Sequence, residues 1–500
     1  SIFYDSFQIG ETLIDFASYP PSFSPEFRKL VFRHTNASIC DEEGNIICYS
    51  NGLQIFNKFD SVIVNGDSIN PSEFRNTWLD VGYILPQGAL ILPVPENIDQ
   101  YIMLHTELIW EVFQGSPVVP HKLYYTLIDM SHNGGFGKVL EKNQLLVQDT
   151  LDFGKITACR HANGRDWWIL VADFDGDEYY RFLLNPKGLV VVDTQKLSIP
   201  PFANGVGQAY FSPNGETYAN ITNQGKSPPF EGERLTLFEF DRCTGELIFK
   251  DSIHFVTGAN NALEFSPNGR FLYIGATRHI IQLDLWSDDI ASSADTLVEW
   301  DGFKSLSAVF FGWMKSTPNG KIYCVPDGGT NRITVINFPN KKGDSCMVNQ
   351  HGIKIPTINR GTVPNYPHFR LGPIDGSPCD TLGIDNIPIA KFRIDTIPGK
   401  SWEFEFTDLS YYEPAEWSWT FGDGSSGTAR NPVHQYQNPG IYPVCLTVSN
   451  DYGSDIFCDT VGVVITNIAF EPETQQGAEF LRLSPNPCIN ELQVAFPSPL

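Results

Sequence analysis

Across 500 residues there is no run of 18 apolar side chains, so nothing in the sequence reads as a membrane-spanning helix. Charge is scarce as well. Asp, Glu, Lys and Arg make up 18% of the chain, and the basic share is the smaller one, 34 Lys and Arg against 58 Asp and Glu. The formal charge of −24 argues against a nucleic-acid partner, whose phosphates would be repelled, and gives no electrostatic grip on anionic lipid. Catalytic signatures are missing too. The ten His residues form no H-E-x-x-H or other metal spacing, and no G-x-S-x-G elbow occurs. The chain opens on Ser1 with neither an initiator Met nor an apolar signal segment, as expected of a chain read after processing.

What the sequence has in quantity is turn formers and aromatics. Gly (42) and Pro (35) break the chain often, and 36 Phe, 19 Tyr and 10 Trp favour strands over helices. Short apolar runs such as "DWWILVADF" (166–174) and "YYRFLL" (179–184) recur without a long helical period. The fold class predicted is all-β. Ten Cys are many for a reducing cytosol and too few to scaffold a chain of this length. Two pairs have hairpin spacing. A turn over Asn450–Gly453 sets Cys445 across from Cys458, and a turn at Gly44 does the same for Cys40 and Cys48. Both pairings hold only if the strand register holds. Together these features predict an exported protein.

Three segments share one template: "GQAYFSPNGETYANI" (207–221), "NALEFSPNGRFLYIG" (261–275) and "GWMKSTPNGKIYCVP" (312–326). Each reads as strand, turn, strand, with Pro presetting the first turn torsion and Asn-Gly tolerating positive φ. Their Asn residues, 214, 268 and 319, are 54 and 51 apart, and looser copies place Asn163, Asn97 and Asn45 upstream. The 66-residue gap between Asn97 and Asn163 requires an insertion. A period of about 50 residues fits a four-stranded blade, hence a β-propeller. Six turns are visible; N-terminal strands joining the last C-terminal ones are expected to complete a seventh blade. The wording of "DEEGNIICYSNGLQIFNK" (41–58), "NGDSINP" (65–71), "RHANGRDWWILV" (160–171) and "DRCTGEL" (241–247) resembles a β-propeller family of Bacteroidota surface proteins. That resemblance implies a fold and a setting, not a ligand.

"WTFGDGSSGTARNPVHQY" (419–436) contains a literal G-x-G-x-x-G at Gly422, Gly424 and Gly427. A dinucleotide fingerprint must open a helix whose N-terminus holds the pyrophosphate, and here Pro432, Pro439 and Gly440 prevent one. Asp423 inside the loop would also repel a phosphate. Trp417 and Trp419 alternate with Ser418 onto one sheet face, Phe421 continues that face into the core, and Asp423 can cap the turn. The residues Trp419, Phe421, Gly422, Asp423 and Gly424, then Asn431, Pro432, His434 and Tyr436, then Pro439, Gly440 and Tyr442, resemble a polycystic-kidney-disease-type (PKD) domain. That resemblance implies an immunoglobulin-like sandwich serving as a spacer or as a protein and sugar contact. The Cys445 and Cys458 pair departs from the pattern. Farther on, Pro485, Asn486 and Pro487, followed by the alternating Leu492, Val494 and Phe496, resemble the opening of a type IX secretion sorting domain, which implies export across an outer membrane.

Remaining chemistry is thin. Asp173, Asp175 and Asp177 in "DFDGDEYY" alternate as in calcium loops, but an EF-hand would need Gly and Glu where Glu178 and Leu184 stand. A hairpin turn explains the segment better, and calcium is the one cofactor left as a candidate. "NITNQGKS" (220–227) lacks the first Gly of a Walker loop and is followed by two prolines. Trp78, Trp110, Trp286, Trp300 and Trp313 could stack on sugars or fill blade cores. The reading is a propeller over 1–375, a linker over 376–388 that could pack through Cys379, a PKD sandwich over 389–466, a linker over 467–479 and the start of a sorting domain over 480–500. The expected function is non-enzymatic binding or adhesion at the cell surface. Partners are an extracellular protein or glycan and the type IX machinery, with no nucleic acid and no direct membrane insertion. The alternatives are a subunit of an extracellular homo-oligomer or filament, and a propeller hydrolase with carboxylates converging in the central funnel.

Overall fold

Every repeat turn seen in the sequence joins the first two strands of one sheet. A computed structural model describes residues 11–464, apart from 18–19, 114–115, 200–204, 228–229, 256–261, 306, 327 and 398. Within it, the turns at Asn45, Asn97, Asn163, Asn214, Asn268 and Asn319 each open an antiparallel meander. In the clearest copies the turn closes the same way. The Gly amide donates to the carbonyl of Ser212, Ser266 or Thr317, 2.8 Å in each case. The Ser or Thr hydroxyl donates to the Asn Oδ1 at 2.6–2.7 Å. The positive φ falls on the Gly alone. At Gly215 even a methyl group would collide with Cys159 Sγ at 2.6 Å, so that turn also packs a neighbouring blade.

The six sheets cover 37–57, 89–148, 157–196, 209–255, 262–299 and 313–359, three strands in the first and four in each of the others. We call them blades 1 to 6. Five hydrophobic clusters are seams between consecutive blades. Met103 and Ile39 join blades 1 and 2, Leu104 and Trp167 join 2 and 3, and Trp168 and Phe238 join 3 and 4. Leu237 and Leu263 join 4 and 5, and Tyr273 and Met314 join 5 and 6. Sheets buried on both faces explain the near-continuous apolar runs such as Trp167–Ala172. Between blades 6 and 1, His34, just ahead of blade 1, lies against Trp313, ring centroids 6.0 Å apart.

Among the described residues there are thus six blades, not the expected seven. The N-terminal strands, Glu11–Asp15 and Ser22–Glu26, pair only with each other. They lay Ile14, Phe16 and Phe23 on the open face of blade 6. The inserted residues between Asn97 and Asn163 lengthen blade 2 instead. Its second and third strands, Gln100–Phe113 and Ser116–Asp129, have 14 residues each, while its inner strand, Ala89–Pro93, has five.

Cys40 and Cys48 are both free. A bulge pairs Cys48 with Ile39 and Cys40 with Ile46, so the register on which the expected bridge depended is shifted. Cys445 and Cys458 do face each other and are bonded, with a Cα–Cα distance of 4.1 Å. A second disulfide, Cys243–Cys379, ties the blade 4 hairpin to the segment after the ring. The interval 376–388 is therefore stapled, not a free linker.

Residues 392–463 form two facing sheets of three and four strands around Phe406, Trp419, Phe421, Tyr436 and Leu446. This sandwich is docked on blade 6. The buried Arg393 guanidinium donates to the carbonyls of Asn319 (2.5 Å) and Asn337 (3.2 Å) and pairs with Asp395. Lys321 faces Asp395 at 3.6 Å and Lys341 faces Glu405 at 2.7 Å. No helix among the described residues is long and apolar enough to cross a membrane.

His105, on blade 2, is wholly buried between Asn70 Oδ1 (2.8 Å) and Thr126 Oγ1 (2.9 Å). Burial lowers its pKa to about 3. Because the unfolded chain takes up this proton near pH 6.5 and the folded chain does not, the contribution of His105 is complete above pH 6.5 and is lost as pH falls toward 3. Wild type should therefore lose about 1.4 kcal/mol per pH unit relative to His105→Asn over that window. Parallel pH-dependent melts would refute this assignment.

Candidate functional site

A ring of blades brings six inner strands to one axis, the natural place for side chains to converge. Here the chain itself fills that axis. Residues 361–372, "GTVPNYPHFRLG", run through it after blade 6. The Asn365 amide nitrogen of the side chain donates to Ala89 O of blade 2 (3.0 Å) and to Ile156 O beside blade 3 (2.9 Å). Its backbone N–H donates to Asn36 O (2.8 Å). Gln87 donates to Ala209 O of blade 4 and accepts from Ala209 N–H, at 2.9 and 2.8 Å. Gln208 accepts from the N–H groups of Leu263 and Met314 in blades 5 and 6. Three buried amides thus stitch the ring shut.

Charge on the axis is equally enclosed. Glu264 accepts the Ser316 N–H at 2.7 Å and faces the Lys315 ammonium at 3.7 Å. Lys315 lies over the rings of Tyr210 (3.9 Å) and Tyr366 (4.4 Å) and donates to Tyr366 O (3.1 Å). Burial lowers the Lys315 pKa, against the pull of Glu264. His368 in the same segment is driven down to about 3 by burial and by Lys315. Among the described residues the axial carboxyl, Glu264, is enclosed and paired rather than open.

The aspartates of 173–177 do not gather. Asp173 Oδ1 accepts the Glu178 N–H at 3.0 Å, closing the hairpin. Its carboxyl is raised to about 6 by burial, with Asp177 and Asp175 adding to the rise. Asp175 points to solvent, and Asp177 faces Lys196 at 3.5 Å. Among the described residues no three His, Cys, Asp or Glu side chains converge as a metal would need. The segment forms a hairpin turn closed by Asp173. "NITNQGKS" lies in the strand Thr217–Ser227, paired with Phe230–Phe240, so no helix follows it.

The G-D-G loop is a turn as well. Asp423 Oδ1 accepts the Ser425 N–H at 3.0 Å, and Oδ2 lies 2.8 Å from His434 Nε2. Burial works to raise the Asp423 carboxyl, but Ser425 and His434 hold it down at about 2. His434 stacks on Phe421 at 4.2 Å, the Tyr436 hydroxyl donates to Phe421 O, and Trp419 Nε1 donates to Ala429 O. Asn431 Oδ1 accepts the Asp408 N–H. Gly440, after Pro439, opens the strand that carries Cys445. The Asp423, His434, Tyr436 and Trp419 side chains are spent on closing the loop and tying it to the neighbouring strands.

Residues 386–465 match the PKD domain. The chain is also similar to the PKD1 domain of Vibrio anguillarum Epp, at 25% identity over 16% of this chain and 96% of that one, with a TM-score of 0.15. For the PKD1 domain of the Vibrio cholerae metalloprotease PrtV the values are 28%, 15%, 95% and 0.14. The periplasmic gluconolactonase PpgL of Pseudomonas aeruginosa is 12% identical over 55% of this chain and 87% of that one, with a TM-score of 0.31. No curated protein matches the sequence. The PKD domain and the disulfides are consistent with an extracellular protein. Pro485, Asn486 and Pro487 lie outside the described residues.

In an up-and-down sheet, alternate turns lie at opposite ends. The PKD domain and its stapled approach cover the end carrying the Asn-Gly turns: Gly320 meets Leu409, and Gly164 meets Pro373. The long blade 2 hairpin therefore projects from the other end. There its second strand outruns the inner strand, which pairs only with Tyr101–His105, and the short helix Glu73–Asn76 takes the vacated flank. Between them lies a groove of about 430 Å³ lined by Glu73, Phe74, Glu107, Trp110, Lys122 and Tyr124. Trp110 is 56% exposed, with its ring 4.7 Å from that of the buried Phe74. Glu107 is buried, 3.6 Å from Lys122 and 3.4 Å from the Tyr124 hydroxyl.

Of the five tryptophans picked from the sequence, Trp313 is core, Trp78 and Trp300 are half-buried, and only Trp110 and Trp286 are exposed. Sequence reasoning did not find Glu107, Lys122 or Tyr124. The signal was the length of blade 2, whose second strand runs on past the inner strand and pairs there with the third strand alone.

Proposed function

We propose that this chain is an extracellular binding protein whose propeller presents the contact face and whose PKD domain mounts it. The observation that carries this reading is the disposition of the two ends. One is covered by the PKD domain and the disulfide-tied approach, and the other bears the projecting hairpin with its aromatic groove, while the axis is filled by the chain itself. The PKD domain then acts as a rigid mount, because the buried Arg393 and its ion-paired neighbours join it to blade 6. Export through the type IX machinery, directed by Pro485-Asn486-Pro487, belongs to the same proposal.

The test is protease shaving of producing cells combined with a surface-adhesion assay. The chain should be cleaved from intact cells, and deletion of 481–500 should retain it inside. A chain that remains protected in intact cells with its C-terminus in place would refute the assignment. One observation favours the structural-subunit alternative. The outer strand of blade 3, Gly188–Lys196, exposes Val190, Val191 and Val192 in succession, as an edge awaiting another strand would. Light scattering decides it, since a monomer of 56.0 kDa removes that reading.

A further inference from the structure

We infer that the blade 2 groove is a subsite for one pyranose unit of a neutral glycan; this rests on the binding reading above. A sugar ring presents an apolar face of C–H groups and an equatorial rim of hydroxyls. The groove supplies a counterpart to each. Trp110 offers an exposed ring held from behind by Phe74, so the stacking surface is fixed before the ligand arrives.

The same groove is lined by the Glu107 carboxylate as acceptor, the Lys122 ammonium as donor and the Tyr124 hydroxyl as either. The Tyr124 hydroxyl stays protonated, since burial and Glu107 push its pKa up to about 12. Glu107 makes only long contacts with these two neighbours, 3.6 and 3.4 Å, so ligand hydroxyls can improve on both bonds. The volume of about 430 Å³ is in the range of a small-ligand site. Two carboxylates, Glu73 and Glu107, line the groove against one ammonium, and the chain as a whole carries −24. An acidic sugar is therefore disfavoured and a neutral one accepted.

Affinity electrophoresis and calorimetry of the full chain against laminarin, xyloglucan, mannan and xylan, with hyaluronan and heparin as acidic comparators, would test this. At least one neutral glycan should bind. Trp110→Ala should weaken it by about tenfold or more, Trp110→Phe should recover most of the loss, and Trp286→Ala should change nothing. Glu107→Gln serves as a second variant with the same expected direction. Binding of a neutral glycan that ignores Trp110, or binding only of the acidic polymers, overturns the subsite and leaves the binding reading standing. Absence of neutral-glycan binding together with normal cell adhesion also overturns the subsite alone. Loss of both glycan binding and adhesion removes the subsite and the binding reading together.

Discussion

Replacing Asn365 by Ala should lower the stability of the propeller by about 3–6 kcal/mol. The carboxamide serves two carbonyls from different blades, Ala89 O and Ile156 O, and takes a longer bond of 3.3 Å from Gln87. The residue is buried, so water cannot replace what is lost, and each orphaned buried group costs roughly 1–3 kcal/mol. In a domain of this size that corresponds to a fall in Tm on the order of 10 °C. Calorimetry of the full chain would show it. A shift within about 2 °C would mean that the inner strands hold their places without the axial segment.

The same residue shows why the propeller was readable and its axis was not. The Asn-Gly turns are local: a Ser or Thr, an Asn and a Gly within four positions make the bonds that close the turn among themselves. Such a unit repeats visibly, and six copies gave six blades. Among the described residues the expected seventh blade is not formed, because closure is not local. Strands 11–15 and 22–26 carry apolar side chains that suit blade 6, but no turn signal shows that they pair only with each other. Asn365 lies in "GTVPNYPHF", which reads as loop, and its partners are more than 200 residues away in sequence. A trace of the axis was nonetheless present. Ala37, Ala89, Ala209 and Ala262 each open an inner strand and are wholly buried, because only a small side chain fits where strands crowd together.

The disulfides divide along the same line. Cys445–Cys458 spans one hairpin with regular pairing from Gly440 to Asn450, so counting residues sufficed. Cys40–Cys48 spans a shorter hairpin in which one bulge spoils the count. Cys243–Cys379, 136 residues apart, joins elements that only the tertiary fold brings together. In the PKD domain, by contrast, Trp419, Phe421, Asp423, His434 and Tyr436 contact one another within 18 residues, and the pattern was legible almost entirely. The groove required two non-local facts, the excess length of blade 2 and the helix at Glu73–Asn76 that flanks it.

The second large effect belongs to the charge sealed on the axis. Lys315→Met should cost about 3–5 kcal/mol, because Glu264 would remain buried as an uncompensated carboxylate. The loss arises from what is left behind, not from the ammonium removed. Glu264→Gln in the same background should therefore restore at least half of it. The neutral amide can still accept the Ser316 N–H that Glu264 accepts now, and Met can lie between the rings of Tyr210 and Tyr366 where the lysine stem lies. A double-mutant cycle by chemical denaturation measures the coupling directly. Additive losses in the double variant would mean that the pair does not compensate. The axial cluster would then have to be held by the hydrogen bonds of Asn365, Gln87 and Gln208 alone. A large coupling would instead make the ion pair a specificity device: it fixes which strands meet on the axis, and so which end of the propeller is closed by its own chain and which is left open to a ligand.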